Sequence, residues 1–341
     1  MKPRAFFAAF LLASLCGAAG PEAFNWHLPK GFPKPVVPAD NPMTEAKVEL
    51  GRYLFYDVRM SVNDSQSCAS CHKQELAFTD GLPVAVGATG QHHPRSAMCL
   101  VNVAYNSVLT WNDASKRELE QQALVPMFGD HPVELGLHQG DHFFAMLPHD
   151  GRYQRLFTAA FPADANSYTV ANVVKALACF ERSIISARSP YDRYHYDRDD
   201  SAISESAKHG EVLFFSQPLN CFRCHGGFNF NDNSTSAGHE PDEVEFHNTA
   251  LYAEQGKFKA PTLRNIATTA PYMHDGSIPT LDGVLDHYAA GGRAGHNNPT
   301  KDLLITGFAL SPHDRKDLIE FLKTLTDEEV LHDPRFSNPW H

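Results

Sequence analysis

Two segments decide how this sequence folds: Cys68-Ala69-Ser70-Cys71-His72 and Cys221-Phe222-Arg223-Cys224-His225. Both read Cys-x-x-Cys-His, the pattern at which haem is attached covalently in c-type cytochromes. Two thiols at this spacing can add to the two vinyl groups of one porphyrin, and the adjacent histidine is then held under the iron as an axial ligand. The sequence therefore predicts two haem c groups, with His72 and His225 as iron ligands.

The cysteines also allow other interpretations. Both Cys-x-x-Cys pairs together could hold one zinc ion, or either pair could act as a redox dithiol. Zinc would not require a histidine after each pair, so haem attachment is favoured. Outside the motifs, Cys99 and Cys179 are expected to be buried thiols, and a disulfide between them remains open.

The first residues have the order of a cleavable export signal. Lys2 and Arg4 precede an apolar run and then small residues. The run is shorter than the roughly 20 residues that cross a bilayer, and no later segment is apolar enough. We expect residues 1–20 to be a signal peptide, the mature protein to be periplasmic and no transmembrane span. Because Cys16 follows the bulky Leu15, we do not expect a lipid anchor there.

The chain is acidic, with 40 Asp and Glu against 29 Lys and Arg and a formal net charge of −11. An acidic surface argues against nucleic acid and anionic membranes as partners. It is compatible with a basic protein partner.

A weak internal repeat precedes the two motifs. Leu50-Gly51-Arg52-Tyr53-Leu54-Phe55 lies before the first, and His209-Gly210-Glu211-Val212-Leu213-Phe214 before the second. Thr44 and Ser204 are candidate N-caps for the two helices, because a hydroxyl can accept a backbone N–H bond that a helix start leaves unmade. The repeat indicates two haem domains.

Apolar residues recur at helical spacing in residues 170–184 and 318–325, and no sustained alternation indicates strands. We predict a mainly α protein with long loops around the haems. Its two cytochrome c-like domains are expected at residues 21–200 and 201–341.

Further segments resemble those of one known family, the bacterial di-haem cytochrome c peroxidases and MauG. They follow the family's order over nearly the whole mature chain: LGRYLFYD at 50–57, WNDASKRELEQQALVPM at 111–127, ISARSPYDRY at 185–194 and APTLRNIATTAPYMHDGSIPTL at 260–281. FGDHPVELG at 128–136 is similar to MauG-like members of the MbnH type. The chain thus resembles a di-haem peroxidase-family oxidoreductase.

The resemblance implies that the N-terminal haem reacts with peroxide and the C-terminal haem transfers electrons. Glu134 matches the family's acidic residue above the peroxide haem, two positions further along than the usual spacing. A carboxylate there can move a proton between the peroxide oxygens. Gln122 and Pro126 match residues that line the same pocket, and Trp111 matches a tryptophan that relays electrons between the haems.

The family also places a calcium ion between its domains. Asn102, Thr269 and Pro271 match positions that supply oxygen ligands to this ion. Ligation by oxygen alone suits a hard cation such as Ca²⁺. The alternative for Asn102 is a turn residue that makes local hydrogen bonds.

The second axial ligand of the C-terminal haem separates members of the family. Conventional peroxidases have a methionine, which raises the reduction potential. Tyr288 occupies the position here, as in MauG-like proteins, and a phenolate favours higher oxidation states of iron. Three nearby residues are competing candidates for this ligand: Met273, His274 and His287.

Three functions follow from these observations. In the first, a MauG-like enzyme uses hydrogen peroxide to oxidise a partner protein through a high-valent state of both haem irons. Relatives found beside copper-binding proteins imply a tryptophan side chain as target and a copper-binding partner. Leu219 occupies the position where the family has a surface tryptophan before the second motif. The resemblance therefore does not imply the electron-relay route to the partner that uses this tryptophan.

The second function is that of a conventional peroxidase, which reduces hydrogen peroxide to water with electrons from a small cytochrome. The third is a di-haem electron carrier without catalysis, in which His92 or His93 would bind the first haem iron as a sixth ligand. Each keeps the two haems and differs in the iron ligands.

Overall fold

The structure is a computed structural model that describes residues 22–138, 141–240, 243–252, 256–293 and 298–340. The predicted signal peptide and Cys16 lie outside the described residues. In the described part, no helix is long and apolar enough to cross a membrane.

Helices joined by long loops form the described part of the chain. They are α1 (Glu45–Phe55), α2 (Cys68–Cys71), α3 (Leu119–Gln122), α4 (Leu124–Phe128), α5 (His142–Met146), α6 (Gly151–Ala160), α7 (Val170–Ser183), α8 (Pro190–Tyr196), α9 (Glu205–Phe214), α10 (Leu281–Ala289), α11 (Pro312–Lys323) and α12 (Glu328–His332). Pairing between extended segments is limited there to isolated β-bridges. The predicted mainly α class is therefore confirmed.

Helix starts follow the predicted capping chemistry. The Thr44 hydroxyl accepts a hydrogen bond from the Lys47 backbone N–H at the start of α1. Ser204 does the same for Ala207 at the start of α9. Each cap satisfies a donor that has no partner inside the helix.

The internal repeat forms two equivalent helix pairs, α1 on α7 and α9 on α11. A Cβ atom on Gly51 would lie 2.0 Å from the Ala176 carbonyl oxygen, and one on Gly210 would lie 2.0 Å from the Asp317 carbonyl oxygen. Both distances are far below van der Waals contact, so only glycine allows these crossings. At each of these glycines, the backbones of the two paired helices are therefore in direct contact.

Each helix pair supports its own apolar core with a trio of phenylalanines. In the first core, the Phe55 ring lies 5.0 Å from Phe180 and 6.1 Å from Phe78 between centroids. In the second, the corresponding trio is Phe214, Phe321 and Phe230, with Phe214 at 5.2 and 6.1 Å from the other two. The two halves thus repeat both helix contact and core.

Two segments pack across the predicted division at residue 200. Tyr191 of α8 belongs to the second core. Val330 and Leu331 of α12, with Phe336 beyond it, belong to the first core. The division into residues 21–200 and 201–341 stays a prediction, and these contacts tie each part to the other.

The described cysteines are all free thiols, so Cys99 and Cys179 form no disulfide. Cys179 is buried and Cys99 is partly buried. Cys99 donates to the Ala77 carbonyl at 3.0 Å.

Replacing Gly210 with alanine should destabilise the second half, because the new methyl group would overlap the rigid backbone of α11. We expect a loss of about 3 kcal/mol in the free energy of unfolding, at the upper end of the overpacking range. Gly151→Ala is the matched control, since a Cβ there meets nothing nearer than the end of Arg155 at 4.0 Å. Denaturant titration followed by circular dichroism measures both, and equal stability of the two variants would contradict the crossing.

Candidate functional site

The first motif forms a single helical turn. Cys68 and Cys71 begin and end α2, and the Ser67 backbone N–H donates to the Ser70 hydroxyl at 3.0 Å. The His72 backbone N–H continues the turn by donating to the Cys68 carbonyl. The local sequence therefore presents two thiols and an imidazole from one helical turn and its C-cap.

His72 is oriented by a bond from its ring. Nδ1–H donates to the carbonyl oxygen of Phe78 at 2.8 Å, which leaves Nε2 with a free lone pair. Phe78 is fully buried and has a positive φ of 61°. Burial lowers the pKa of His72, so the neutral form that binds metal is favoured.

The second motif repeats this arrangement. His225 Nδ1–H donates to the Phe230 carbonyl oxygen at 3.3 Å, and Phe230 is also buried with a positive φ of 50°. Burial lowers the pKa of His225 as well. In both halves free thiols therefore stand beside an imidazole whose Nε2 is available, which fits the attachment and axial ligation of haem c.

The structure brings Glu134 to the first motif. Burial, followed by the negative charges of Asp80 and Glu134, raises the pKa of the Cys71 thiol to about 11. Burial also raises the pKa of Glu134 itself. His93 faces this carboxylate, with its Nε2 4.0 Å from Glu134 Oε1, whereas His92 is exposed.

Backbone bonds hold Glu134 from both sides. Its carbonyl accepts from the Ala88 N–H at 2.7 Å, and the next N–H, of Leu135, donates to the Pro126 carbonyl at 2.9 Å. Gln122 ends α3 one residue before α4, which contains Pro126, and both are half-buried. Pro126 is thus hydrogen-bonded to the segment that carries Glu134, and Gln122 lies on the helix just before it.

Trp111 lies where segments of the two halves meet. Its indole N–H donates to the Ser96 carbonyl at 3.0 Å, and its own carbonyl accepts from the Lys259 N–H at 2.9 Å. Ser96 in turn donates through its hydroxyl to the Met273 carbonyl at 3.2 Å. The indole is therefore fixed between the segment after the first motif and the segment after the second.

Tyr288 lies on α10 beside the second motif. Burial raises its pKa, and the nearby Cys224 and Cys221 thiols raise it further. Within the described part of the chain its hydroxyl makes no hydrogen bond. The side chain is half-buried, and its hydroxyl is available to bind another group.

The competing ligand candidates have other contacts. His287 Nε2–H donates to the Thr249 carbonyl at 2.9 Å. His274 stacks on Phe258 with 3.8 Å between ring centroids. Met273 packs against a small apolar cluster.

Among the described residues, no hydrogen bond joins the predicted calcium residues to one another. The amide of Asn102, which is fully buried, accepts from the Ser186 N–H at 2.8 Å and donates to Asn229 Oδ1 at 3.1 Å. The Thr269 hydroxyl donates to the Ile266 carbonyl, and Pro271 follows close behind. Calcium ligation by these residues stays a prediction.

Sequence reasoning missed a carboxylate pair around His247. Its Nε2 lies 2.5 Å from Asp232 and its Nδ1 lies 2.7 Å from Asp302 and 3.9 Å from the Cys224 sulfur. The hydrogen bond to Asp232, with further contributions from Cys224 and Asp302, raises the pKa of His247 to about 11. Asp302 lies 55 positions away along the chain, so no local spacing announces this cluster.

Lys259 was also missed. It is buried at the junction near Trp111, and burial lowers its pKa to about 8. A lone lysine two residues before Pro261 carries no sequence signal of burial.

The mainly helical fold and its two motif-bearing halves define the class of di-haem c-type oxidoreductases. A family model described as di-haem cytochrome c peroxidase matches residues 45–201, and one described as RoxA-like, cytochrome c-like matches residues 257–290. The methylamine utilization protein MauG of Methylorubrum extorquens is 35% identical, over 85% of this chain and 81% of that protein.

Two further relatives represent different members of this class. The cytochrome-c peroxidase IdrP1 of Denitromonas iodatirespirans is 32% identical, over 95% of this chain and 94% of that protein. The crystal structure of a MauG-like protein associated with microbial copper homeostasis has a TM-score of 0.90 and 41% identity, over 94% of this chain and 100% of the other. This chain belongs to the di-haem cytochrome c peroxidase and MauG family, an oxidoreductase family with c-type haems.

Covalent attachment can be measured on the intact protein. We expect a mass that includes two haems per chain, and one haem fewer when Cys68 and Cys71 are both replaced by serine. Cys99→Ser is the control, because it removes a thiol outside both motifs. A variant lacking both thiols of the first motif that still carries two covalent haems would contradict the assignment.

Proposed function

We propose that this protein is a MauG-like enzyme that uses hydrogen peroxide to oxidise a tryptophan side chain of a partner protein. The observation that carries the proposal is Tyr288, a half-buried phenol beside the second motif with no hydrogen-bond partner among the described residues. The two haems would be held by Cys68, Cys71 and His72 in residues 21–200, and by Cys221, Cys224 and His225 in residues 201–341.

When bound, the two haems would supply the redox chemistry, exchanging electrons with peroxide and with the partner. The chain's own residues bind, orient and move protons. The Nδ1 bonds of His72 and His225 to Phe78 and Phe230 fix both imidazoles and raise their basicity as ligands.

Glu134 is proposed as the acid–base group for peroxide. Its burial gives it a raised pKa, which suits a group that must both take and return a proton. Pro126 holds the loop that carries it, and Gln122 lies on the adjoining helix. His93, 4.0 Å from the carboxylate, is placed to share a proton with it.

Trp111 is proposed to relay electrons between the two haems. Its hydrogen bond to Ser96 and its backbone bond from Lys259 hold the indole at the junction of the halves. Asn102, Thr269 and Pro271 are proposed as calcium ligands near the same junction.

The partner is proposed to be a periplasmic, copper-binding protein. The 41% identical MauG-like protein is one associated with microbial copper homeostasis. The signal-like residues 1–20 support export, and the net charge of −11 favours a basic partner surface. The relatives named as cytochrome-c peroxidases support one second candidate, reduction of hydrogen peroxide with electrons from a small cytochrome.

The iron ligand distinguishes the two functions. Titration of the fully oxidised protein with stoichiometric peroxide, followed by optical and Mössbauer spectra, should give a long-lived state in which both haem spectra change. Tyr288→Met should lose this state, because a thioether cannot supply the phenolate's negative charge. Tyr252→Phe, which removes an exposed tyrosine hydroxyl, should keep it.

Other results of this titration would favour the alternatives. A reaction that requires prior reduction of one haem would identify a conventional peroxidase. No reaction at all would identify an electron carrier.

Glu134→Gln should slow the reaction with peroxide at least about 100-fold, the lower range for loss of a proton-transfer group. The ionised carboxylate accepts the proton, so in the unmodified protein the rate should rise with pH through the raised pKa of Glu134. The variant should lose that dependence. Stopped-flow mixing measures both, with the exposed Glu75→Gln as control, and a pH profile that Glu134→Gln leaves unchanged would remove Glu134 from this role.

A further inference from the structure

A cluster of metal-binding side chains lies on the surface of the second half, where α9 crosses α11. His209 belongs to α9, and His313 and Asp314 belong to the first turn of α11. One potential ligand atom from each lies within 4.8 Å of the other two. All three side chains reach the surface, so an ion can approach from solvent.

A buried carboxylate, Asp317, contacts both imidazoles and accepts a hydrogen bond from one of them. His209 Nδ1–H donates to Asp317 Oδ2 at 2.7 Å, and His313 Nδ1 lies 3.1 Å from the same oxygen as a charge-pair contact. The Ser206 hydroxyl donates to the other oxygen of Asp317. The Asp317 side chain is only 3% exposed and is therefore fixed.

The hydrogen bond to Asp317 leaves the Nε2 lone pair of His209 free. Metal-binding histidines commonly donate their other ring N–H to a carboxylate, which sets the tautomer and increases ligand basicity. Here Asp317 does so for His209, and His313 comes to the same carboxylate from the other helix. Asp314 adds an oxygen, since the Ser311 hydroxyl bonds only its Oδ2.

The fold does not require these residues. The two helix pairs can be aligned by matching Gly51 with Gly210 and their contact residues Ala176 with Asp317. In this alignment His209 corresponds to Leu50 and His313 to Asn172. The first helix pair makes the same close crossing without a histidine at either position. The imidazole pair is therefore an addition to the second half.

We propose that His209, His313 and Asp314 form a binding site for a divalent transition-metal ion that prefers imidazole, such as Zn²⁺ or Cu²⁺, with Asp317 as the outer hydrogen-bond partner. Two nitrogens and one carboxylate oxygen suit such an ion, and water completes the fourth position. Ligands in a tetrahedral zinc site are about 3.3 Å apart, so rotation of the exposed His313 side chain and the half-exposed Asp314 side chain closes the site.

A bound ion would join α9 to α11. Because these helices support the core around Phe214 and Phe321, binding to the folded state alone should stabilise the second half. The site is separate from the proposed haem chemistry and does not depend on it.

The test is calorimetric titration of the haem-loaded protein with Zn²⁺ after removal of any transition-metal ions other than the haem irons. We expect one tight site per chain, a higher unfolding temperature in the presence of Zn²⁺, and no such effect of Mg²⁺. His209→Ala and His313→Ala should each lose the tight site and the thermal shift. His142→Ala is the matched control, because His142 is an exposed histidine that pairs with one carboxylate, Asp64 at 2.7 Å, and has no second histidine beside it among the described residues.

Asp317→Asn separates the orienting role from ligation. It should keep the site but weaken Zn²⁺ binding about 10- to 100-fold, as expected for an outer partner. An unchanged haem absorption spectrum shows that each variant is folded. Absence of a stoichiometric site in the unmodified protein, or equally tight binding in His313→Ala, would overturn the proposal.

Discussion

The backbone contact between paired helices governs the rest of this structure. At Gly51 and at Gly210 two helices approach until a single methyl group would overlap a carbonyl oxygen. This contact places Phe55 on Phe180 and Phe214 on Phe321, and the third phenylalanine of each core, Phe78 or Phe230, provides the carbonyl that orients the motif histidine. One steric constraint thus connects helix packing, core and imidazole orientation in both halves.

The two halves share this helix packing and differ in the side chains that lie near their Cys-x-x-Cys-His motifs. A carboxylate, Glu134, with His93 beside it, lies near the first motif. A phenol, Tyr288, lies near the second. A carboxylate can take and return a proton, whereas a phenol that has lost its proton can bind iron, so the division of the expected chemistry follows the difference in side chains.

Local features could be predicted from the sequence because their causes are local. The motif spacing, the caps Thr44 and Ser204 and the helical class all depend on neighbouring residues, and the structure agrees with the caps and the class. His247 with Asp232 and Asp302 could not be predicted, since its partners come from distant segments. The same holds for the burial of Lys259 and for α12, which packs on the first core although it follows the second half in sequence.

The C-terminal segment packs on the first half, and this packing affects the order in which the two halves can fold. Gln74 donates to the Val330 carbonyl, and the Trp340 indole donates to the Tyr53 carbonyl. The first half therefore keeps an uncovered apolar surface while the nascent polypeptide emerges, whereas the second half has nearly all of its own core residues by Leu325. The half that is synthesised first is therefore the last to complete its apolar core.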